Sequence, residues 1–106
     1  MASSRGYLDY VLEQCAALGG VTCRPMMGEY VLYYAGKVIG GVYDDRLLLK
    51  STPSALRTLA QAGATPEFDI PYPGAKEMLT ADVDDGALLC RLIRAVSDDL
   101  PARKRK

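Results

Sequence analysis

The apolar positions fall into three helical stripes and a central block of strand-like alternation. Leu8, Val11, Leu12, Cys15 and Leu18 recur at helical spacing and predict an amphipathic helix. Ser3 or Ser4 can cap it, because a serine hydroxyl accepts from the free N–H groups of a first turn, and Gly19-Gly20 closes it. Tyr7 and Tyr10 fall toward the stripe's flanks. A second stripe, Leu56, Leu59 and Ala60, follows Thr52-Pro53, a capping threonine with proline at the first helical position. A third, Leu88 or Leu89, Leu92, Ile93 and Val96, has Asp82, Asp84 and Asp85 as capping candidates before it and Pro101 beyond it.

Between the first two stripes, Glu29–Tyr34, Lys37–Tyr43 and Arg46–Lys50 are rich in Val, Leu, Ile and Tyr and predict three strands. Ala35-Gly36 and Asp44-Asp45 serve as two-residue turns, which makes an antiparallel meander. Val21–Arg24 adds a short strand ahead of it, stopped by Pro25. After the second helix, Glu67–Ile70 and Ala75–Ala81 predict two extended pieces around a loop punctuated by Pro71, Pro73 and Gly74. The expected fold is α+β in two layers, a curved antiparallel sheet with helices on one face, in the order α-β-β-β-α-β-β-α.

Two-residue turns fix a register, and directly opposed residues share a face. On that register Tyr30 faces Gly41, Leu32 faces Ile39, Tyr34 faces Lys37 and Gly41 faces Leu48. One layer is then Val31, Tyr33, Val38, Gly40, Val42, Leu47 and Leu49. It is apolar enough to lie under the helices, with Gly40 as a gap for a helix to sink into. The other layer carries Tyr30, Leu32, Tyr34, Ile39, Tyr43 and Leu48, with Lys37, Arg46 and Lys50 at its margins. Tyrosine buries area yet tolerates water, so this second layer is expected to meet a partner. The competing expectation is that the chain's own Pro66–Gly74 loop covers it.

Composition narrows the chemistry. At 106 residues the chain is one domain's worth of sequence. It has no histidine, which removes the commonest general base and metal ligand. The formal net charge is zero, but Arg103, Lys104, Arg105 and Lys106 carry four of the 13 positive charges. The rest holds nine basic against 13 acidic groups, a net of −4, and an acidic body repels phosphate backbones. Direct nucleic-acid binding is therefore not expected, unless the basic tail, residues 101–106, makes the contact. Cys15, Cys23 and Cys90 form no C-x-x-C pair. With no apolar leader-like run in Met1–Tyr10, they read as reduced cytoplasmic thiols. No run approaches the ~20 apolar residues of a membrane span.

Chemical signatures are few. Asp82-Val83-Asp84-Asp85-Gly86 starts like a calcium loop but lacks the closing glutamate, Ile93 standing in its place. Gly36-Lys37 continues into Val38, so no phosphate-binding loop is present, and no G-x-S-x-G occurs. No catalytic, cofactor or metal site is expected. Met26 and Met27, in Arg24-Pro25-Met26-Met27-Gly28-Glu29-Tyr30, read as core fillers or as side chains offered to a partner.

That segment, followed by Gly40-Gly41-Val42-Tyr43-Asp44-Asp45-Arg46-Leu47-Leu48-Leu49-Lys50 and by Ala75-Lys76-Glu77-Met78, resembles the TfoX/Sxy N-terminal domain. The resemblance runs from about Tyr7 to Leu100, with Arg24, Met27, Gly28, Glu29, Gly41, Asp45 and Arg46 at the motif positions. It implies a two-layer α/β domain spanning residues 1–100. In full-length members this domain precedes a helical one, in regulators of natural competence genes that act beside the cyclic-AMP receptor protein. For this chain it implies a stand-alone, non-enzymatic interaction module, expected as a homodimer or bound to a transcription regulator or another protein. The alternative expectation is a small-molecule or enzyme site near Arg24, Glu29, Asp45 and Arg46.

Overall fold

The computed structural model describes residues 4–26 and 29–101. Met27, Gly28 and residues 102–106 of the basic tail, named above, lie outside the described residues. Three helices and six strands follow in the order α1 (Arg5–Gln14), β1 (Val21–Met26), β2 (Glu29–Tyr34), β3 (Lys37–Val42), β4 (Leu47–Leu49), α2 (Pro53–Gln61), β5 (Phe68–Asp69), β6 (Met78–Thr80) and α3 (Gly86–Asp99). The expected order is present, and the extra strand before the meander is a full six-residue strand, β1, that runs through Pro25. Proline is accommodated because β1 is an edge strand, where a missing N–H need not break a ladder. The strands form one antiparallel sheet in the order β1-β2-β3-β4-β6-β5.

The helices start where the caps predict. Ser4 Oγ accepts from the Tyr7 N–H, Thr52 Oγ1 from Ala55 and Asp85 from Leu88. Leu8, Val11 and Cys15 meet Leu89, Leu92, Ile93 and Val96 in the core. In α2 the buried pair is Ala55 and Leu59, while Ala60 faces out, so its stripe starts one position earlier than the spacing suggested. The end of α3 anchors α2, with Asp99 accepting from the Ser54 N–H and hydroxyl, both at 2.7 Å.

Both hairpin turns are two residues long with positive φ at both positions: Ala35 at 54° and Gly36 at 77°, Asp44 at 52° and Asp45 at 56°. That is the type I′ geometry, whose twist matches the strands it joins. The expected register holds beside the first turn, Tyr34 opposite Lys37 and Tyr33 opposite Val38, and along β3 and β4. Between these stretches it breaks. Leu32 faces Gly40, and Tyr30 faces Val42, because Ile39 is an extra residue on β3. A bulge of this kind sets two residues against one and shifts everything beyond it by one position.

The shift exchanges the faces of β2. Leu32 and Ile39 are fully buried in the helix-side core, and Tyr30 and Tyr34 pack against it from its margin. These four were expected on the outer layer. Val31 and Tyr33, expected under the helices, pair with Gly41 and Val38 on the outer side. Leu48 lies on the outer side as expected, yet it is wholly buried. Gly40 is also reassigned. A Cβ there would come within 2.8 Å of the Leu49 Cα and closer still to the Leu48 carbonyl, so strand β4, not a helix, fills the gap.

Candidate functional site

The two ends of the sheet differ in charge. At one end the Asp44-Asp45 turn is fastened from three sides. Asp45 Oδ1 accepts from the Ser4 N–H at 2.7 Å, which joins the turn to the start of α1. The Glu29 carboxylate accepts from the Asp44 N–H at 3.1 and 3.2 Å, joining it to β2. Arg46 donates to the Tyr43 carbonyl at 3.2 Å, to the Ile70 carbonyl at 3.4 Å and to the Asp69 carboxylate. Arg46, with the Ile70 N–H at 2.8 Å, holds the Asp69 carboxyl below the usual carboxylate range. Gly41 is needed there as well, since a Cβ would stand 2.6 Å from the Tyr30 carbonyl and 2.8 Å from the Tyr43 ring. The ring that lies over Gly41 is thus that of Tyr43, and Tyr30, expected opposite Gly41, contributes only its carbonyl there.

Tyr43 carries the outer cover. The Tyr72 ring meets it edge-on, with centroids 6.4 Å apart, and burial pushes the Tyr43 hydroxyl's pKa up. Tyr72 comes from the loop that follows β5, so the chain's own loop reaches over Tyr43 on the outer face, with a hollow of about 520 Å³ left between it and Val38 and Lys50. The β1–β2 half stays open, with Thr22, Arg24 and Met26 exposed. The Arg24 guanidinium sits 6.0 Å from the Tyr33 ring centroid.

The four charges of the alternative reading do not share one cleft. Glu29 and Arg46 line a hollow of about 410 Å³ beside Asp44, Asp69 and Tyr72. Arg24 lines a separate cleft of about 620 Å³ at the other end of the sheet, with Thr22, Tyr33, Lys37 and Lys50. Among the described residues no group of three or more His, Cys, Asp or Glu could hold a metal ion. None of their helices is long and apolar enough to cross a membrane.

Tyr33 and Tyr72 are the surface residues that alternation along the strands misplaces or passes over, whereas Lys37 and Lys50, expected at the margins of the outer layer, line the cleft beside Arg24. The signal that could have placed Tyr33 is Gly40, because a glycine inside a strand marks a bulge or a close backbone approach. Tyr72 sits in a proline-rich loop, and nothing in its spacing ties it to Tyr43.

The architecture is that of a small α+β domain whose signature residues brace a hairpin corner. Residues 13–100 match the TfoX N-terminal domain model. A relative in Spirochaeta aurantia, described as an uncharacterized 12.7 kDa protein in the trpE 5′ region, is 36% identical over 106 residues, 98% of this chain and 89% of the relative. The chain belongs to the TfoX N-terminal domain family.

Proposed function

We propose that this chain is a non-enzymatic protein-interaction module related to TfoX-type transcriptional regulators, acting as a homodimer in the cytoplasm. The observation that carries the reading is the use made of the motif charges. A catalytic acid or base must reach a proton on a substrate. Here Glu29, Asp45 and Arg46 reach the backbone of Asp44, Ser4 and Tyr43. Residues engaged in this way support a fold whose work is recognition. The tie to gene regulation, competence included, rests on family membership.

The self-association surface best supported is the β5 edge. Among the described residues five large apolar side chains are exposed, and three lie in this one segment: Phe68 at 42%, Ile70 at 42% and Tyr72 at 58%. β5 pairs only with β6, which leaves its other edge open. A two-fold contact there sets apolar groups against their own copies. At the opposite edge, β1 would set Arg24 near its own copy, and like charges repel. Met26, 48% exposed, flanks that second edge and is available to a different partner.

Sedimentation equilibrium from micromolar to submillimolar protein tests the reading. A monomer–dimer equilibrium is expected, shifted to monomer by Ile70→Asp with the amide spectrum of the fold retained. A wild-type chain that stays monomeric throughout overturns the homodimer.

A further inference from the structure

The 620 Å³ cleft at the Ala35-Gly36 end of the sheet is lined by three cations, Arg24, Lys37 and Lys50, and by no carboxylate. None of the three forms an ion pair with a described residue. The acids of the sheet, Glu29, Asp44 and Asp69, gather in the hollow beside the other turn. The net charge of the whole chain, zero, hides this separation. Cations that line one cleft with no counter-charge among the described residues favour an anion there.

The donors suit phosphate. Arg24 offers a planar fork, which matches phosphate oxygens two at a time. Lys37 Nζ gives one proton to the Ser97 carbonyl at 2.8 Å and keeps two more donors and its charge. Thr22 adds a hydroxyl. One carboxylate would neutralise a third of this charge, whereas a phosphate monoester carries about −1.5 to −2 and a polyphosphate more. Tyr33 supplies an aromatic wall, with Arg24 over its ring. The volume falls within the ~300–1,000 Å³ range of small-molecule sites.

We propose that this cleft binds a small organic phosphate of nucleotide size, its phosphates held by Arg24, Lys37 and Lys50. The proposal is independent of the homodimer, whose surface lies at the other edge of the sheet.

Amide-resolved NMR titration of the full chain with ATP, pyrophosphate and uncharged adenosine tests it. ATP and pyrophosphate are expected to shift Thr22, Arg24, Tyr33, Lys37 and Lys50, with adenosine alone causing no shift. Arg24→Gln and Lys50→Gln each weaken ATP binding roughly tenfold, as loss of one charge-assisted contact does. Lys50→Arg keeps most of the affinity. Arg57→Gln, an exposed arginine on α2, leaves it unchanged. Four results overturn the proposal: no shifts with millimolar ATP, shifts confined to residues 102–106, equal shifts from a polyglutamate peptide, or tighter binding of single-stranded DNA that ATP does not displace.

Discussion

Replacing Gly40 by alanine tests the bulge and the close approach of β4 together. The added Cβ would lie 2.8 Å from the Leu49 Cα and 3.1 Å from the Leu48 carbonyl carbon. Ordinary carbon contacts stand at about 3.5–4.0 Å, so β3 and β4 must part by close to 1 Å. Their ladder is short, Gly40 to Leu49, Gly41 to Leu48 and Val42 to Leu47. Leu47 and Leu49, which hang from it, are buried in the core. Overpacking a core costs about 1–3 kcal/mol, and each weakened backbone hydrogen bond adds about 0.5–1.5 kcal/mol. The expected loss is therefore about 3 kcal/mol, a large part of the ~5–15 kcal/mol that holds a typical domain. Urea unfolding followed by far-ultraviolet circular dichroism measures it. At a slope of about 1–3 kcal/mol per molar urea, the midpoint falls by at least about 1 M. Gly6→Ala is the control, since a Cβ there meets nothing within 4 Å and alanine favours helix. If Gly40→Ala keeps the wild-type midpoint, or behaves like the control, the close approach is wrong.

Other consequences follow from the turns, carboxylates and thiols. Ala35 holds a φ of 54°, which costs a non-glycine residue about 1–2 kcal/mol, so Ala35→Asn, preferred in type I′ turns, raises stability by up to about 1 kcal/mol in the same urea assay. Asp69, held low by Arg46, and Asp99, held low by the Ser54 N–H and hydroxyl, have depressed folded pKa values. Their stabilisation is thus full above the unfolded value of about 3.9 and is lost as pH falls through the folded values. The drop in urea midpoint on going from neutral to strongly acidic pH should shrink in Asp69→Asn, and an unchanged drop would contradict the Arg46 contact. Cys15 is 1% exposed, and burial, with Cys90 nearby, pushes its thiol up to about 12. A thiol reagent at mildly alkaline pH should therefore modify Cys15 only after unfolding, and labelling of native Cys15 would contradict its place in the core.

The helices were legible because their information is local. Thr52-Pro53 and Asp85 cap the helices they precede, and Leu89, Leu92, Ile93 and Val96 keep one spacing from cap to end. Strand existence was local too, down to both two-residue turns. The assignment of faces was not, because alternation carries forward only until a residue is inserted. Ile39 is that residue, and its effect is to place Tyr30, Leu32 and Tyr34 inside and Val31 and Tyr33 outside. The family was legible in the motif around Glu29 and Asp45. Their roles were not, since their partners are the backbone N–H groups of Asp44 and Ser4, which residue type does not encode. The basic cleft was hidden for a related reason. Arg24, Lys37 and Lys50 come from β1, from β3 and from beyond β4, and line one cleft only when the sheet is assembled.

The faces of β2, and with them the Tyr33 wall of the basic cleft, depend on the position of that one inserted residue. Interstrand nuclear Overhauser contacts across β2 and β3 read it directly. The account predicts contacts pairing Leu32 with Gly40 and Tyr30 with Val42. Contacts pairing Leu32 with Ile39 and Tyr30 with Gly41 would contradict it, and would return the tyrosines to the open face.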